Sequence, residues 1–436
     1  MAGAIEREIN RDIEPKFGLV VQKYGGSSVA TPEKIQNVAS RVEARVETGA
    51  KMIVVVSAMG KTTDGLIAMA KQVSQNPFPR EMDMLLATGE QVSAALLAMA
   101  LLERGVKAVS RNAFQLGIVT SENYNNARIR DIDLSRLIRD LTDNSVVVVT
   151  GFQGVTPDGD LTTLGRGGSD TSAVALAAKA ANAPDALWDS VVCEIYSDVS
   201  GIFAADPNKV KGARKLDYIT HIEMLELASL GAKVLHMRSV EVARRYGVTL
   251  YCASTFSEER GTYVVKELPE WLESPVVTGV TVARNQIKFV VRRIPESGNA
   301  LAGIFQALAV ADVNIDMIST VTDEGLSYLS FTTIDAAAPA VIEAVSSCMR
   351  EFECGKTGWE IGNGTQVAKV SAVGDGMNAT KGVAGRAFSA LRGANIKMLD
   401  ISTSDINISV LVDESSADSA VEALVKEFGL VANAGE

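Results

Sequence analysis

A lysine, two glycines and two hydroxyls close a short apolar run, Leu19-Val20-Val21-Gln22-Lys23-Tyr24-Gly25-Gly26-Ser27-Ser28. Glycines let the backbone turn tightly and bring its N–H groups close to an anion, and Lys23 adds a full positive charge beside them. This is the equipment of a phosphate site, placed at the end of the first strand of an α/β fold. It is not a P-loop. The nearest glycine-lysine-hydroxyl run is Gly60-Lys61-Thr62, and a Walker pattern would need glycine at Val55. A second cluster, Thr162-Thr163-Leu164-Gly165-Arg166-Gly167-Gly168-Ser169-Asp170-Thr171, stands before an alanine-rich stretch, Ser172–Ala181. Here the chain passes from loop to helix N-terminus, where free N–H groups and the helix dipole favour an anion. Arg166 offers a planar fork for a carboxylate or phosphate. A tight turn capped by Asp170 is the plainer reading, but Gly165–Asp170 is richer than a cap requires.

Three further elements carry charge at useful places. Tyr196-Ser197-Asp198 puts a carboxylate at the C-terminal end of a strand, the edge where ligands collect in open parallel sheets, although a turn residue there looks the same. Gly231-Ala232-Lys233-Val234-Leu235-His236 sets a lysine in an apolar helical stretch, where it could also snorkel. Thr88-Gly89-Glu90 opens an apolar helix with a carboxylate, either a cap or an ammonium binder. Phosphoryl transfer needs positioning and positive charge around the migrating group and little covalent work from the protein. Two lysines, two glycine loops, an arginine and a few carboxylates point to an ATP-dependent kinase for a small acid.

The elements that must hold these residues are read from pattern. Short β-branched runs, Met52–Ala58 and Ser145–Val149, read as buried parallel strands. Strand and helix patterns alternate from 17 to about 265, which implies a mainly parallel sheet covered on both faces. Leu268-Pro269-Glu270 and Ser274-Pro275 break the pattern and read as a linker. Beyond it, Phe305–Thr320 aligns without gaps on Phe388–Thr403, each ending in Ile-Ser-Thr. Strands flank each copy, a helix comes next, and space for a last strand remains, so each copy reads as a ferredoxin-like β-α-β-β-α-β unit. Two packing units that only build a dimer would give the same pattern.

At 436 residues the chain is too long for one ordinary core. Its net charge of −11 argues against a nucleic-acid or acidic-membrane partner. Residues 1–15 carry charge and lack the apolar core of a secretory signal, and no uninterrupted apolar run is long enough to span a bilayer. Cys193, Cys252, Cys348 and Cys354 share no metal-ligand spacing, and with only His221 and His236 a zinc site is not expected. Reduced thiols in a cytoplasm fit this usage.

Taken in order, Lys-Tyr-Gly-Gly-Ser-Ser, Val-Ser-Ala-Met-Gly-Lys-Thr-Thr-Asp, Thr-Gly-Glu, Gly-Arg-Gly-Gly-Ser-Asp and Gly-Ala-Lys-Val-Leu-His resemble the aspartate kinases, members of the amino acid kinase superfamily that carry tandem ACT domains. The resemblance runs from about 17 to 430. It implies an N-terminal extension (1–16), a kinase domain (17–265), a linker (266–275) and two ACT domains (276–360 and 361–436). It also implies transfer of the γ-phosphoryl group of ATP to the side-chain carboxylate of L-aspartate, the first step towards lysine, threonine and methionine. Lys23 would hold the transferring group and Lys233 the ATP phosphates, with Gly25, Gly26 and Ser27 as the phosphate loop. Arg166 would pair with the α-carboxylate of aspartate and Glu90 with its ammonium. Ser57, Thr63 and Ser169 would add hydroxyls, Phe152 would line the pocket, and Asp170 would orient Lys23 and touch the substrate. Ser197 and Asp198 would lie on the nucleotide, as would Phe203, which stands where many relatives have tyrosine. Asn208 likewise replaces a common arginine. Mg2+ would enter mainly on phosphates and water.

ACT domains of this family bind end-product amino acids. The candidate effector loop is Glu296-Ser297-Gly298-Asn299-Ala300-Leu301, facing the strand of Ile315, Asp316 and Thr320, with Asp316 as a holder of an ε-ammonium. Some relatives inhibited by lysine and threonine together carry glutamine at the place of Thr320, which favours lysine here, with threonine second. No methionine lies between Met237 and Met317, so a free regulatory subunit made from an internal start is not expected. A homodimer or homotetramer through the ACT domains is. Competing readings are another amino acid kinase and a catalytically weak amino-acid sensor.

Overall fold

A computed structural model describes residues 18–432, except 184–187, 189, 233, 274, 296–298, 352–357 and 378. The chain divides into two compact units. The first runs through Ile202 and includes Lys215–Ala228 and Lys233–Glu273; the second takes Phe203–Arg214, Ser229–Ala232 and the chain after Glu273.

The first unit opens with β1 (Leu19–Tyr24), α1 (Pro32–Glu47) and β2 (Lys51–Val56), then α2 (Thr62–Val73), α3 (Pro79–Leu86) and α4 (Thr88–Glu103). Next come β3 (Ala108–Arg111), β4 (Ile118–Thr120), β5 (Ile129–Ile132), α5 (Leu134–Asp143), β6 (Val146–Thr150), β7 (Gln153–Val155), β8 (Leu161–Thr163) and α6 (Gly168–Ala181). The unit ends with β9 (Val191–Ser197), β10 (Tyr218–Thr220), α7 (His221–Ser229), α8 (Met237–Tyr246), β11 (Leu250–Ser254) and β12 (Thr262–Val265).

Eight strands form one sheet in the order β10-β12-β11-β9-β1-β2-β6-β3. Its central pairs are parallel, and only β11 with β12 runs antiparallel. Val20, Val21, Ile53, Val54, Val147 and Val148 are fully buried, as strands covered on both faces must be. Tyr24 pairs in register with Val56 on one side and Tyr196 on the other, so the C-terminal ends of β1, β2 and β9 meet at one edge. A second sheet, β5-β4-β7-β8, was not announced by the alternation of strand and helix. Its strands are short and its interior is partly polar, with the Thr120 and Thr162 hydroxyls bonded at 2.6 Å. The helical stretch Pro79–Glu103 is long and apolar enough to cross a membrane by length and composition, but 56% of its most apolar window is buried in the protein. Ala94, Leu97 and Leu101 belong to the core beneath the large sheet, which accounts for that composition.

The second unit contains β13 (Gly279–Pro295), α9 (Ala300–Val310), β14 (Asp316–Asp323), β15 (Leu326–Ile334), α10 (Ala338–Glu351), β16 (Glu360–Ile361), β17 (Thr365–Val373), α11 (Val383–Gly393), β18 (Asp400–Thr403), β19 (Asn407–Asp413) and α12 (Ala417–Glu427). The sheet order is β14-β15-β13-β17-β19-β18, with β16 also on β13. The first repeat is therefore a complete β-α-β-β-α-β unit closed by β16. The second differs from expectation, because its last strand does not come after α12. The N-terminal half of β13, Gly279–Ala283, pairs antiparallel with Val373–Lys369 and fills that place. A register shift between Ala283 and Gln286, with Asn285 in the left-handed region at φ 55°, lets one long strand serve both repeats. The chain after α12 bonds elsewhere in the same unit: Arg214 N donates to Leu430 O at 2.9 Å and Ala432 N to Gly212 O at 2.8 Å.

Candidate active site

Lys23 projects from the C-terminal end of β1 and Asp170 from the first turn of α6. Lys23 Nζ lies 2.7 Å from Asp170 Oδ1, with side-chain exposures of 11% and 14%. The pair stands on a cleft of about 320 Å³ that also takes walls from Gly26, Ser57, Ala58, Gly60, Thr63, Glu90, Phe152, Ser169 and the Gly165–Gly168 loop with Arg166. Two other cavities of the first unit are larger, about 560 and 670 Å³, but neither brings a glycine loop, a lysine and a helix N-terminus to one point.

The glycines are there for room. A Cβ on Gly26 would sit 2.8 Å from Ala58 O, and Gly60 N donates to Gly26 O at 3.0 Å, so the turns after β1 and β2 interlock. A Cβ on Gly25 would come within 3.4 Å of Lys23 Nζ. The backbone beside the lysine is left bare, a cradle that a side chain would fill and a phosphate can use. Gly25 N donates to Tyr196 O at 3.2 Å, tying this turn to the end of β9.

Glu90 is 3% exposed at the start of α4. Oε1 accepts the Ala58 N–H at 3.0 Å, while Oε2 is buried without a partner. Burial raises its pKa to about 7, against the pull of that N–H, of its own backbone N–H and of the nearby Gln153 amide. Glu90 also lines the cleft, and a buried carboxylate with an oxygen that accepts no hydrogen bond is a receptor for a cation. Arg166 is exposed, with its guanidinium free to meet an anion. Phe152 adopts φ 70°, unusual for a large side chain, and is held there by Ser172 Oγ on its N–H at 3.0 Å and by Leu164 N on its carbonyl at 2.8 Å.

Lys23, Gly26, Ser57, Thr63, Glu90, Phe152, Arg166, Ser169 and Asp170 thus share one cleft. Gly25, Ser27, Ser197 and Asp198 lie at the same sheet edge but not on its wall; Ser27 is exposed and its carbonyl accepts from Lys34 Nζ at 2.9 Å. Phe203 belongs to the second unit, and Lys233 lies outside the described residues. Ala58 and Gly60 were missed; the signal for Gly60 was its place one turn after a buried strand. Among the described residues no group of histidine, cysteine, aspartate and glutamate could hold a metal. Cys193 and Cys252 are buried, and burial pushes both thiols up.

Of the effector residues, Glu296, Ser297 and Gly298 lie outside the described residues. Ala300 is buried and opens α9 with Leu301, while Thr320 is exposed on β14. Asp316 is already engaged: it forms an ion pair with Lys369 of the second repeat and accepts the Met317 N–H at 2.8 Å. The mirror contact joins Lys288 of the first repeat to Asp400 of the second at 3.0 Å. Each repeat's first-strand lysine so reaches the other's aspartate, and each pairing holds its carboxyl below the usual range.

Comparison with known proteins gives the family. The amino acid kinase family model matches residues 18–254, and an ACT domain model matches 370–428. An aspartokinase of Geobacillus stearothermophilus is 46% identical over 96% of this chain and 99% of its own. The aspartate kinase structure from Synechocystis is 39% identical, covers 96% of this chain and 70% of that one, and superposes with a TM-score of 0.51. E. coli aspartokinase III, solved with aspartate and ADP, is 24% identical, covers 94% of this chain and 100% of its own, and shares the fold at a TM-score of 0.74. With identity of this level sustained along nearly the whole sequence, the chain belongs to the aspartokinases of the amino acid kinase family.

Proposed function

We infer that the chain transfers the γ-phosphoryl group of ATP to the side-chain carboxylate of L-aspartate. The observation that carries this is the convergence, on one cleft, of the Lys23–Asp170 pair, the unpartnered Oε2 of Glu90 and the exposed guanidinium of Arg166. These are one cation for a phosphoryl group, one anion for an ammonium and one fork for a carboxylate, which together describe an amino acid beside a phosphate donor. Arg166 takes the α-carboxylate and Glu90 the α-ammonium, leaving the side-chain carboxylate to point at Lys23. One of its oxygens attacks the γ-phosphorus. The new O–P bond makes the acyl phosphate as the bond to the β,γ-bridging oxygen breaks, and ADP leaves with that electron pair. No general base is required, because the attacking carboxylate is ionised at neutral pH. Lys23 neutralises charge on the equatorial oxygens, and Asp170 holds the ammonium in place. Gly25, Gly26 and Ser27 cradle phosphate; Ser197, Asp198, Phe203 and Lys233 serve the nucleotide; Ser57, Thr63, Ser169 and Phe152 shape the acceptor site. Mg2+ would accompany the nucleotide, held mainly by its phosphates and water. The reaction opens the route to lysine, threonine and methionine, and the enzyme works in the cytoplasm as a homodimer or homotetramer.

The test is ADP release from ATP and Mg2+ with L-aspartate and, separately, with L-glutamate. Turnover with aspartate is expected, and with glutamate none above background. Turnover with neither, while lysine or threonine still binds, would leave a sensor and sink the kinase. Lysine is the proposed effector at the repeats, acting by preferring an inactive arrangement, since equal affinity for both arrangements shifts nothing. Titration calorimetry is expected to show lysine binding; heat with threonine and none with lysine would remove that assignment.

A further inference from the structure

The segment that presents Arg166 is held by two charged side chains that do not line the cleft, one fully buried and one half-buried. Asp83, fully buried on α3, accepts four hydrogen bonds and no ion pair among the described residues. Its Oδ2 takes the N–H of Thr163 at 2.9 Å and that of Asn125 at 2.9 Å; its Oδ1 takes the Thr163 hydroxyl at 2.6 Å and shares the Asn125 N–H at 3.1 Å. The half-buried Arg238, near the start of α8, donates to Leu164 O at 2.9 Å and to Ala127 O at 2.6 Å. Ala127 N in turn donates to Thr163 O at 2.9 Å. The carboxylate thus collects the N–H groups of two adjoining segments, the guanidinium collects their carbonyls, and neither charge needs the other.

The turns just beyond this clamp have no slack. Gly165 is left-handed at φ 75°, and a Cβ there would meet Asn125 O at 2.8 Å. Gly167, at φ 70°, would meet the ring of His236 at 2.3 Å. The backbone of Arg166 is therefore fixed on both sides while its side chain stays free. Resting on the reading of Arg166 as the carboxylate fork, we propose that Asp83 and Arg238 are positioning residues for substrate recognition, setting the backbone from which Arg166 meets the acceptor's α-carboxylate.

Every group around Asp83 is a donor, so Asp83→Asn turns an amide N–H₂ against at least one of them and frees the loop without changing the side chain's size. Arg238→Met leaves two carbonyls without their partner. Each change is expected to raise the KM for aspartate by about tenfold or more, with the KM for ATP moving by no more than about twofold. In an Arg166→Lys background the same changes are expected to add no more than about twofold, because their effect passes through Arg166. Equal elevation of both KM values, or a full effect in that background, would mean a structural role only and overturn the proposal. Amide hydrogen exchange of the full chain gives a readout that needs no turnover. Protection at Thr163 and Leu164 is expected in the native protein, with its loss in Asp83→Asn confined to 121–128 and 161–168. Unchanged protection there would sink the clamp even if aspartate is phosphorylated. Lost protection without any aspartate turnover in the native protein would uphold the clamp and fault the reaction instead.

Discussion

Replacing Lys23 with methionine is expected to lower kcat by about a thousandfold or more, with a much smaller change in either KM. The magnitude comes from where the charge sits. Lys23 is 9% exposed, so its ammonium acts through little solvent and needs no reorganisation as charge develops on the migrating group. Phosphoryl transfer asks the protein for little else at that point, and among the described residues no second lysine or arginine lines the cleft except Arg166, which is assigned to the other end of the substrate. A structural objection has to be met, because removing one partner of a buried ion pair costs about 3–5 kcal/mol and could unfold the protein instead. Lys23→Arg separates the two. It keeps the charge and the bond to Asp170, so folding should persist, but its planar fork places that charge differently from a compact ammonium. Retained thermal stability with at least about a tenfold loss of kcat is expected for Lys23→Arg. A kcat within tenfold of native in folded Lys23→Met would remove Lys23 from the chemistry.

The parts of the site that could be read in the sequence are those whose chemistry is compressed into a few consecutive residues. Lys23 with its glycines, and Arg166 with Asp170, announce themselves because glycine beside a fixed charge is a costly combination for a turn alone. Partners far apart along the chain could not be read. Asp83 lies 80 residues from Thr163 and Arg238 lies 74 from Leu164, and in sequence each is an ordinary surface-type charge on a helix. The same limit hid the last strand of the second repeat. The pattern of Gly279–Ala283 says only that it is a strand, and its partner Lys369–Val373 is chosen by which sheet edge remains open. Asp316 shows the converse: a lone carboxylate in sequence suggested a receptor for an ammonium, whereas the fold delivers Lys369 to it. Helices fared better, because periodicity is local; the alanine-rich stretch begins at Gly168 instead of Ser172 only because the glycine loop itself forms the first turn.

Glu90→Gln is expected to stabilise the ligand-free protein at pH 8 while abolishing productive aspartate binding. Burial sets the pKa of Glu90 near 7 in the folded chain, above the ordinary glutamate value of 4.5. A group raised on folding contributes its stability below its unfolded pKa and loses it as pH rises through the folded one. The native protein should therefore be penalised progressively from about pH 5 to pH 8, by up to about 3 kcal/mol once the carboxylate is fully ionised. The glutamine variant carries no such penalty, so the two melting temperatures should converge near pH 5 and separate by pH 8. The penalty has a use. An ammonium entering the cleft meets the free Oε2 and favours its ionised form, so below pH 7 binding must expel a proton from Glu90. The KM for aspartate is expected to fall by about tenfold between pH 6 and pH 8, and the glutamine variant should show no such slope in whatever residual activity remains. A KM independent of pH in the native enzyme would show that Glu90 is already ionised, and identical slopes in the two proteins would assign the titration to another group. If Glu90→Gln instead melts lower than native at pH 8, the carboxylate is a structural acceptor for Ala58 and its vacant oxygen is not a receptor. The expected pattern, stability gained where function is lost, is the signature of a charge kept buried for a substrate to neutralise.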